Sequence, residues 1–320
     1  MSRQRPAYAL ISPCFNEAQY IHDAIPSILQ QTYPPTHWVI VDDGSTDASP
    51  LIMKEYSSEH PWITILSLPT RERRNVGAGA ARAINVGLAS LAINQYEYIG
   101  VFDLDIVLPP AYYERVIQVM SVDQRLGSFT GKPYRYIQST SSSKDDTLIP
   151  ETIGDDISVG ATKFYRTECL EDIGGITEQF MWDVIDCHMA RIRGWKVKSS
   201  DEEALRFIHL RPMGSSDNSL WTGRMRHGEA LYYIGASPVF AIASAVSRLK
   251  QKPVLISSLG IIAGYLSAAI RRGPRYQDRE FRQFLRKYHR LCLTRGKARA
   301  VRRIEREYEP RWRPRSRVKG

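Results

Sequence analysis

Cysteine is scarce and scattered in this chain of 320 residues: Cys14, Cys169, Cys187 and Cys292 share neither a pairing pattern nor a metal-ligand spacing. That excludes a disulfide-stapled secreted domain and a zinc module, and it fits a reducing compartment. Met1 to Pro6 is short and polar, with none of the apolar length of a signal segment, so the expected location is cytoplasmic. Internal repeats are absent, and low complexity is confined to Ser139 to Asp146, which reads as a surface insertion. A net basic charge is missing from most of the chain despite a total of +10. Residues 271–320 hold nineteen Lys and Arg against five Asp and Glu, a net of +14 that leaves −4 for the first 270.

Long apolar stretches are scarce as well: Leu231 to Leu249 is mostly apolar but is broken by Gly235, Pro238 and Arg248, and Pro253 to Ile270 holds 18 residues without a charge, bracketed by Arg248, Lys250 and Lys252 before and by Arg271 and Arg272 after. As a helix the second stretch reaches about 27 Å, short of the roughly 30 Å of bilayer hydrocarbon. Serines, glycines and a leading proline weaken the case for a full span, and basic flanks on both sides favour the headgroup region. Interfacial insertion, a packed core helix and a transmembrane span are all compatible with the pattern, in that order of preference. An anionic membrane surface is therefore preferred to nucleic acid as the partner of the basic tail.

What is present is a strand-helix alternation. Tyr8 to Pro13, Trp38 to Val41, Ile63 to Leu68 and Tyr98 to Phe102 read as strands. Helices are expected through Ile21, Ala24, Ile25, Ile28 and Leu29, from Ser49 (an N-cap before Pro50) to about Glu59, and from Gly77 to about Asn94. Such alternation with short connections predicts a parallel sheet covered on both faces. The fourth strand runs straight into Asp103-Leu104-Asp105. Strand spacing puts these two carboxylates on one side, at the carboxyl end where open α/β sheets bind ligands. Two hard oxygen donors suit a divalent cation, and that cation suits a diphosphate.

Three segments together carry a resemblance: Ser12-Pro13-Cys14-Phe15-Asn16-Glu17, Val41-Asp42-Asp43-Gly44-Ser45-Thr46-Asp47 and Asp103-Leu104-Asp105. In order and spacing they resemble the leading motifs of family 2 glycosyltransferases of the GT-A fold. The resemblance continues through Ile173-Gly174-Gly175-Ile176 and Trp182-Asp183-Val184-Ile185-Asp186 and covers roughly residues 7 to 212. It implies a GT-A, Rossmann-like, mostly parallel sheet flanked by helices over residues 1–215, with a basic, helical, membrane-interfacial region over 216–320. It further implies Asp105 as direct ligand of Mg²⁺ or Mn²⁺ and Asp103 near both the metal and the ribose. Asp42 and Asp43 would meet the base and ribose, although Asp43 and Asp47 could equally fix the turn and cap the next helix. Pro13, Asn16 and Glu17 would line the nucleotide pocket, largely through backbone.

Family members carry their general base before a helix with an arginine, where this chain has Trp182-Asp183 and then Asp186. Trp stands where the usual acid precedes the aspartate. Asp183 is the preferred base and Asp186 the alternative, with helix capping as the structural reading of Asp183. His209, at the end of a last strand, is either a third metal ligand or a satisfied polar group. Arg224 and Arg226 would meet the leaving diphosphate or, equally, lipid headgroups, whereas Arg71, Arg73 and Arg74 read as a solvated loop. The implied activity is inverting, metal-dependent transfer from a UDP-, GDP- or dTDP-sugar to a glycan or lipid-linked acceptor, on the inner face of the cell membrane. A sugar nucleotidyltransferase is disfavoured because Ser12 to Glu17 contains no glycine. A non-catalytic scaffold is disfavoured by the acids at 103, 105 and 183.

Overall fold

The computed structural model describes residues 5–71, 78–137, 147–151, 153–211, 220–247 and 254–314. Ser139 to Asp146, Arg73, Arg74, Gly77, Arg248, Lys250 and Lys252 lie outside the described residues. The chain divides into two compact units, Met1–Arg211 with Trp312–Gly320, and Pro212–Arg311.

In the first unit β1 (Tyr8–Cys14), α1 (Ala18–Leu29), β2 (His37–Asp42), α2 (Ser49–Glu59), β3 (Ile63–Ser67), α3 (Ala78–Ala89) and β4 (Tyr98–Val101) alternate as expected. β5 (Ile106–Val107), α4 (Tyr112–Val122), β6 (Leu126–Thr130), β7 (Lys132–Ile137), β8 (Thr147–Pro150), β9 (Phe164–Arg166), α5 (Thr167–Asp172), α6 (Trp182–Ile192), β10 (Lys196–Ser199) and β11 (Arg206–His209) follow. The main sheet has the order β10-β6-β9-β4-β1-β2-β3. It is parallel except for β9, which runs antiparallel to both β4 and β6. A second sheet, β5-β11-β7-β8, was not foreseen.

Period-two alternation explains why the central strands are buried throughout. Tyr8, Leu10, Trp38 and Ile40 enter one apolar cluster with α1 and α4. Ala9, Ile11, Val39 and Val41 enter another, with α3, on the opposite face. A sheet covered on both sides needs apolar residues at consecutive positions, which is what β1, β2 and β4 supply. Gly100 belongs to this packing: a Cβ there would lie 2.5 Å from Leu10 Cδ2 and 3.0 Å from Phe164 Cδ2.

Three boundaries differ from expectation. β4 stops at Val101, so Asp103 and Asp105 sit in the turn between β4 and β5 and not on a strand. Their convergence comes from the turn. α2 takes Ala48 as its N-cap, without a side-chain bond, and Pro50 falls in its first turn. α3 ends at Ala89, before a short 3₁₀ turn at Ile93–Gln95.

The second unit is helical: α7 (Leu220–Tyr233), α8 (Pro238–Ser247), α9 (Val254–Ile270), α10 (Arg279–Arg295) and α11 (Lys297–Tyr308). α7 and α9 touch backbone to backbone. A Cβ on Gly264 would stand 1.9 Å from the Met225 carbonyl oxygen, and one on Gly228 would stand 2.0 Å from that of Ile261. α9 thus buries Ile261, Tyr265 and Ala268 while leaving Leu259, Leu266 and Ile270 exposed. The core-helix reading holds for one face and fails for the other. Among the described residues no helix is long and apolar enough to cross a membrane.

Candidate functional site

The carboxyl ends of β1 and β2 form the first part of the site. Asp43 N–H donates to the Cys14 carbonyl at 2.8 Å, which continues the parallel pairing beyond the strands. Asn16, at φ 55°, turns the chain so that its side-chain oxygen accepts from Thr46 N–H at 2.8 Å. Asp42 accepts from Ser45 N–H at 2.9 Å and so holds its own turn. Asp47 accepts from Ala18 and Ser49 N–H groups, the structural alternative foreseen for it. Pro13 stays in β1, opposite Val41.

Asp43 is different. One of its oxygens pairs with Arg71, whose Nε also donates to the Asp43 carbonyl at 2.9 Å and whose guanidinium lies 4.6 Å from the Phe15 ring centroid. The other oxygen is buried and has no hydrogen-bond partner among the described residues. Burial pushes the Asp43 carboxyl up against the opposing pull of Arg71. A lone buried acceptor costs about 1–3 kcal/mol, and a ribose or base donor would satisfy it. Arg71 is therefore not part of a solvated loop. Nothing at its position in sequence marks it; only the pairing of β3 on β2 brings the segment back to Asp43.

The second part is the β4–β5 turn. Backbone bonds fix it from three sides: Phe102 N–H to Ile11, Asp103 N–H to Ala161, and Leu210 N–H to the Asp105 carbonyl. β11 pairs with β5 so that His209 stands opposite Ile106, next to Asp105. Arg211 Nε lies 2.6 Å from an Asp105 oxygen, and its Nη2 lies 2.9 Å from Glu17. The guanidinium also covers the Tyr20 ring at 5.5 Å. Glu17 therefore contributes its carboxylate, not only its backbone. His209 Nδ1 contacts a Glu151 oxygen at 2.6 Å. The Asp103 carboxyl is pushed up to about 7, first by burial and then by Asp105, with His209 and Arg211 pulling the other way.

Among the described residues no group of three or more His, Cys, Asp and Glu is arranged to hold a metal ion. The donor chemistry nonetheless fits a hard divalent cation: the carboxylates of Asp103 and Asp105 follow one another at the same turn, with the His209 imidazole on the strand paired beside it.

The third part is the start of α6. Met181, at φ 66°, occupies the N-cap without a side-chain bond, so Asp183 does not cap the helix. It sits in the first turn, where a negative charge suits the dipole. It adjoins Gly160, whose added Cβ would be 3.4 Å from that of Asp183. The neighbouring residue Ala161 accepts from Asp103 N–H at 2.9 Å, so one 3₁₀ turn at Gly160–Thr162 adjoins both acids. Asp186 is buried instead. One of its oxygens takes Lys163 and the other the Tyr165 hydroxyl. Burial raises the Asp186 carboxyl to about 6 against the pull of Lys163. Lys163, itself fully buried, also donates to the Asp183 carbonyl. The Trp182 ring lies 5.5 Å from its Nζ, a cation–π contact that gives the unexpected tryptophan a role. Lys163 and Tyr165 were missed, since a single Lys in an apolar strand context carries no local signal. Arg224 and Arg226 lie on α7, in the second unit. Arg224 is half-buried beside Gly260, and burial lowers its guanidinium.

With the sheet, the two acids after β4 and the aspartate of α6 described, likeness to known proteins has a structural frame. The glycosyl transferase family 2 sequence model matches residues 9–173. The chain belongs to that family. It is 26% identical over 146 residues to the poly-beta-1,6-N-acetyl-D-glucosamine synthase of Staphylococcus epidermidis, covering 46% of this chain and 33% of the relative. It is 32% identical over 130 residues to the glycosyltransferase GlyA of Streptococcus pneumoniae, covering 41% and 17%. The matched stretch is thus a third or less of these two relatives' own length. Two solved structures share the fold. The mannosyltransferase PcManGT of Pyrobaculum calidifontis, in complex with GDP-Man and Mn²⁺, has TM-score 0.53 and 18% identity over 97% of this chain and 86% of that one. S. aureus TarS 1-349 in complex with UDP-GlcNAc has TM-score 0.53 and 16% identity over 95% and 92%.

The buried Lys163–Asp186 pair yields a stability prediction. Lys163→Met leaves a buried carboxylate without its counter-ion and should lower the urea-unfolding free energy by about 3–5 kcal/mol near pH 8. The Asp186 carboxyl already titrates above its unfolded range, and losing Lys163 raises it further. The folded variant then binds more protons than the unfolded chain, so its stability falls as pH rises from 5 to 8. The Lys163→Met/Asp186→Leu double variant should recover most of the loss and all of the pH slope. Equal stability of the single variant and the wild type at pH 8 would refute the pairing.

Proposed function

We propose that the chain is an inverting glycosyltransferase of the GT-A type, which takes a sugar from a nucleotide-sugar donor and passes it to a membrane-proximal glycan or lipid-linked acceptor. The observation that carries this reading is the placement of Asp103 and Asp183 against one short turn, with Asp105 beside the first and, among the described residues, an Asp43 oxygen without a hydrogen-bond partner at the end of β2. Asp43 and the Asn16 turn take the nucleoside. Asp103, Asp105 and His209 would hold Mg²⁺ or Mn²⁺, which supplies positive charge to a leaving diphosphate. The acceptor hydroxyl oxygen attacks the anomeric carbon from the face opposite the leaving group. Its proton passes to Asp183, and the anomeric carbon–oxygen bond breaks with its electron pair left on the nucleoside diphosphate. One displacement inverts the centre. Asp186, locked between Lys163 and Tyr165, positions this end of α6 and does not act as the base. GDP-Man and UDP-GlcNAc in the structural neighbours support a nucleotide-sugar donor and leave the base of the nucleotide open.

The membrane side of the proposal rests on the second unit. α8 exposes Val239, Ile242 and Val246, and α9 exposes Leu259, Leu266 and Ile270. Arg271, Arg272 and Arg275 follow directly and are exposed. Exposed apolar rows next to basic residues suit the headgroup layer of an anionic leaflet.

The catalytic part is tested by thermal shift with UDP-, GDP- and dTDP-sugars, with and without Mn²⁺, followed by kinetics on the donor that responds. A matched donor at 100 times its Kd adds about 2.7 kcal/mol of stability. Asp183→Asn should keep that shift while kcat falls roughly 10² to 10⁴-fold. No response to any nucleotide sugar, or an Asp183→Asn variant with wild-type kcat, would overturn the reading.

The membrane part predicts that the full chain sediments with phosphatidylserine-containing vesicles, and that salt weakens this binding without abolishing it, because apolar insertion is not screened. Complete release at high salt would reduce the interaction to the basic tail.

A further inference from the structure

The Arg211 guanidinium bridges two acids of the site. It lies 2.6 Å from Asp105 through Nε and 2.9 Å from Glu17 through Nη2, while Tyr20 covers its face. The oxygens that it uses belong to an aspartate assigned above to the divalent cation, and to a glutamate that begins the nucleotide-side turn. Arg211 also lies within electrostatic range of Asp103. Its anchoring explains the arrangement: Leu210 N–H is tied to the Asp105 carbonyl and His209 is paired with β5, so the next side chain is delivered to the Asp105 carboxylate.

We propose that Arg211 is the resident counter-ion of this site and that it competes with a divalent cation for Asp105. The inference rests on the donor-site reading above. A guanidinium and a divalent cation at the same carboxylate repel each other, so metal binding requires Arg211 to withdraw from Asp105. A diphosphate offers that guanidinium new oxygens of matching charge and fork geometry. Nucleotide therefore draws Arg211 off the aspartate and opens it to the metal. Metal alone binds weakly, and metal with nucleoside diphosphate binds cooperatively. By linkage, whatever Arg211 subtracts from the affinity for metal alone reappears as cooperativity between metal and nucleotide.

The test is Mn²⁺ binding by electron paramagnetic resonance on the full chain, alone and with UDP, GDP or dTDP, in wild type, Arg211→Gln and Arg211→Lys, each checked for wild-type folding by circular dichroism. Arg211→Gln should bind Mn²⁺ alone about ten- to a hundredfold more tightly than the wild type, the range expected from one charge-assisted contact. The enhancement by nucleotide should shrink correspondingly. Arg211→Lys keeps the charge but cannot bridge both acids through a planar fork, and should fall between the two. Equal or weaker Mn²⁺ binding by Arg211→Gln, with nucleotide-dependent Mn²⁺ binding intact in the wild type, overturns the competition and leaves the donor site standing. Absence of Mn²⁺ binding in every protein with every nucleotide overturns the donor site and this inference with it.

Discussion

Keeping several carboxylates together at one end of a sheet is the constraint on which this structure depends. Two unit charges 4 Å apart interact by about 4 kcal/mol at an effective dielectric of 20, so an unbalanced cluster would oppose folding. Much of the negative charge is met by a local cation: Arg71 for Asp43, Arg211 for Asp105 and Glu17, Lys163 for Asp186. His209 Nδ1 contacts Glu151 at 2.6 Å. The Asp103 carboxyl is raised to about 7, first by burial and then by the neighbouring Asp105. The positions are imposed by backbone, through the β4–β5 turn, the Gly160–Thr162 turn and the left-handed residues Asn16 and Met181.

Much of this was legible in the sequence. Continuous apolar runs ending in acids predicted the strands β1, β2 and β4, and both clusters of the core use them. Asp103, Asp105 and His209 were read as neighbours, and the pairing of β11 with β5 brings the last two together. The strand geometry inferred for Asp103 and Asp105 was wrong in detail, because β4 stops at Val101 and both acids lie in the turn that follows. The counter-ions were mostly illegible. Arg71, Lys163 and Arg211 are distant in sequence from the acids they serve, by 28, 23 and over a hundred residues respectively. The parallel pairing of β3 on β2, the antiparallel insertion of β9 and the antiparallel pairing of β11 with β5 bring them back. Asp183 and Asp186 looked equivalent at i,i+3. Burial separates them, since Asp186 is 3% exposed and paired.

The C-terminal region shows a similar division. Composition located an apolar, uncharged run and a basic tail, but composition does not say which face a helix buries. Gly228 and Gly264 let α7 and α9 close to backbone contact, which hides one face of α9 and leaves Leu259, Leu266 and Ile270 outside. A helix half packed and half exposed fits the peripheral attachment proposed above.

Anomalous diffraction from crystals soaked with Mn²⁺ and a nucleoside diphosphate is the most direct test of the central claim, that the acids after β4 form a cation and diphosphate site held in check by Arg211. The account predicts a single strong manganese peak in coordination contact with Asp105, with the Arg211 guanidinium turned from that carboxylate to the diphosphate. A diphosphate bound without manganese at Asp105, or manganese bound there with Arg211 still seated on the aspartate, would contradict it.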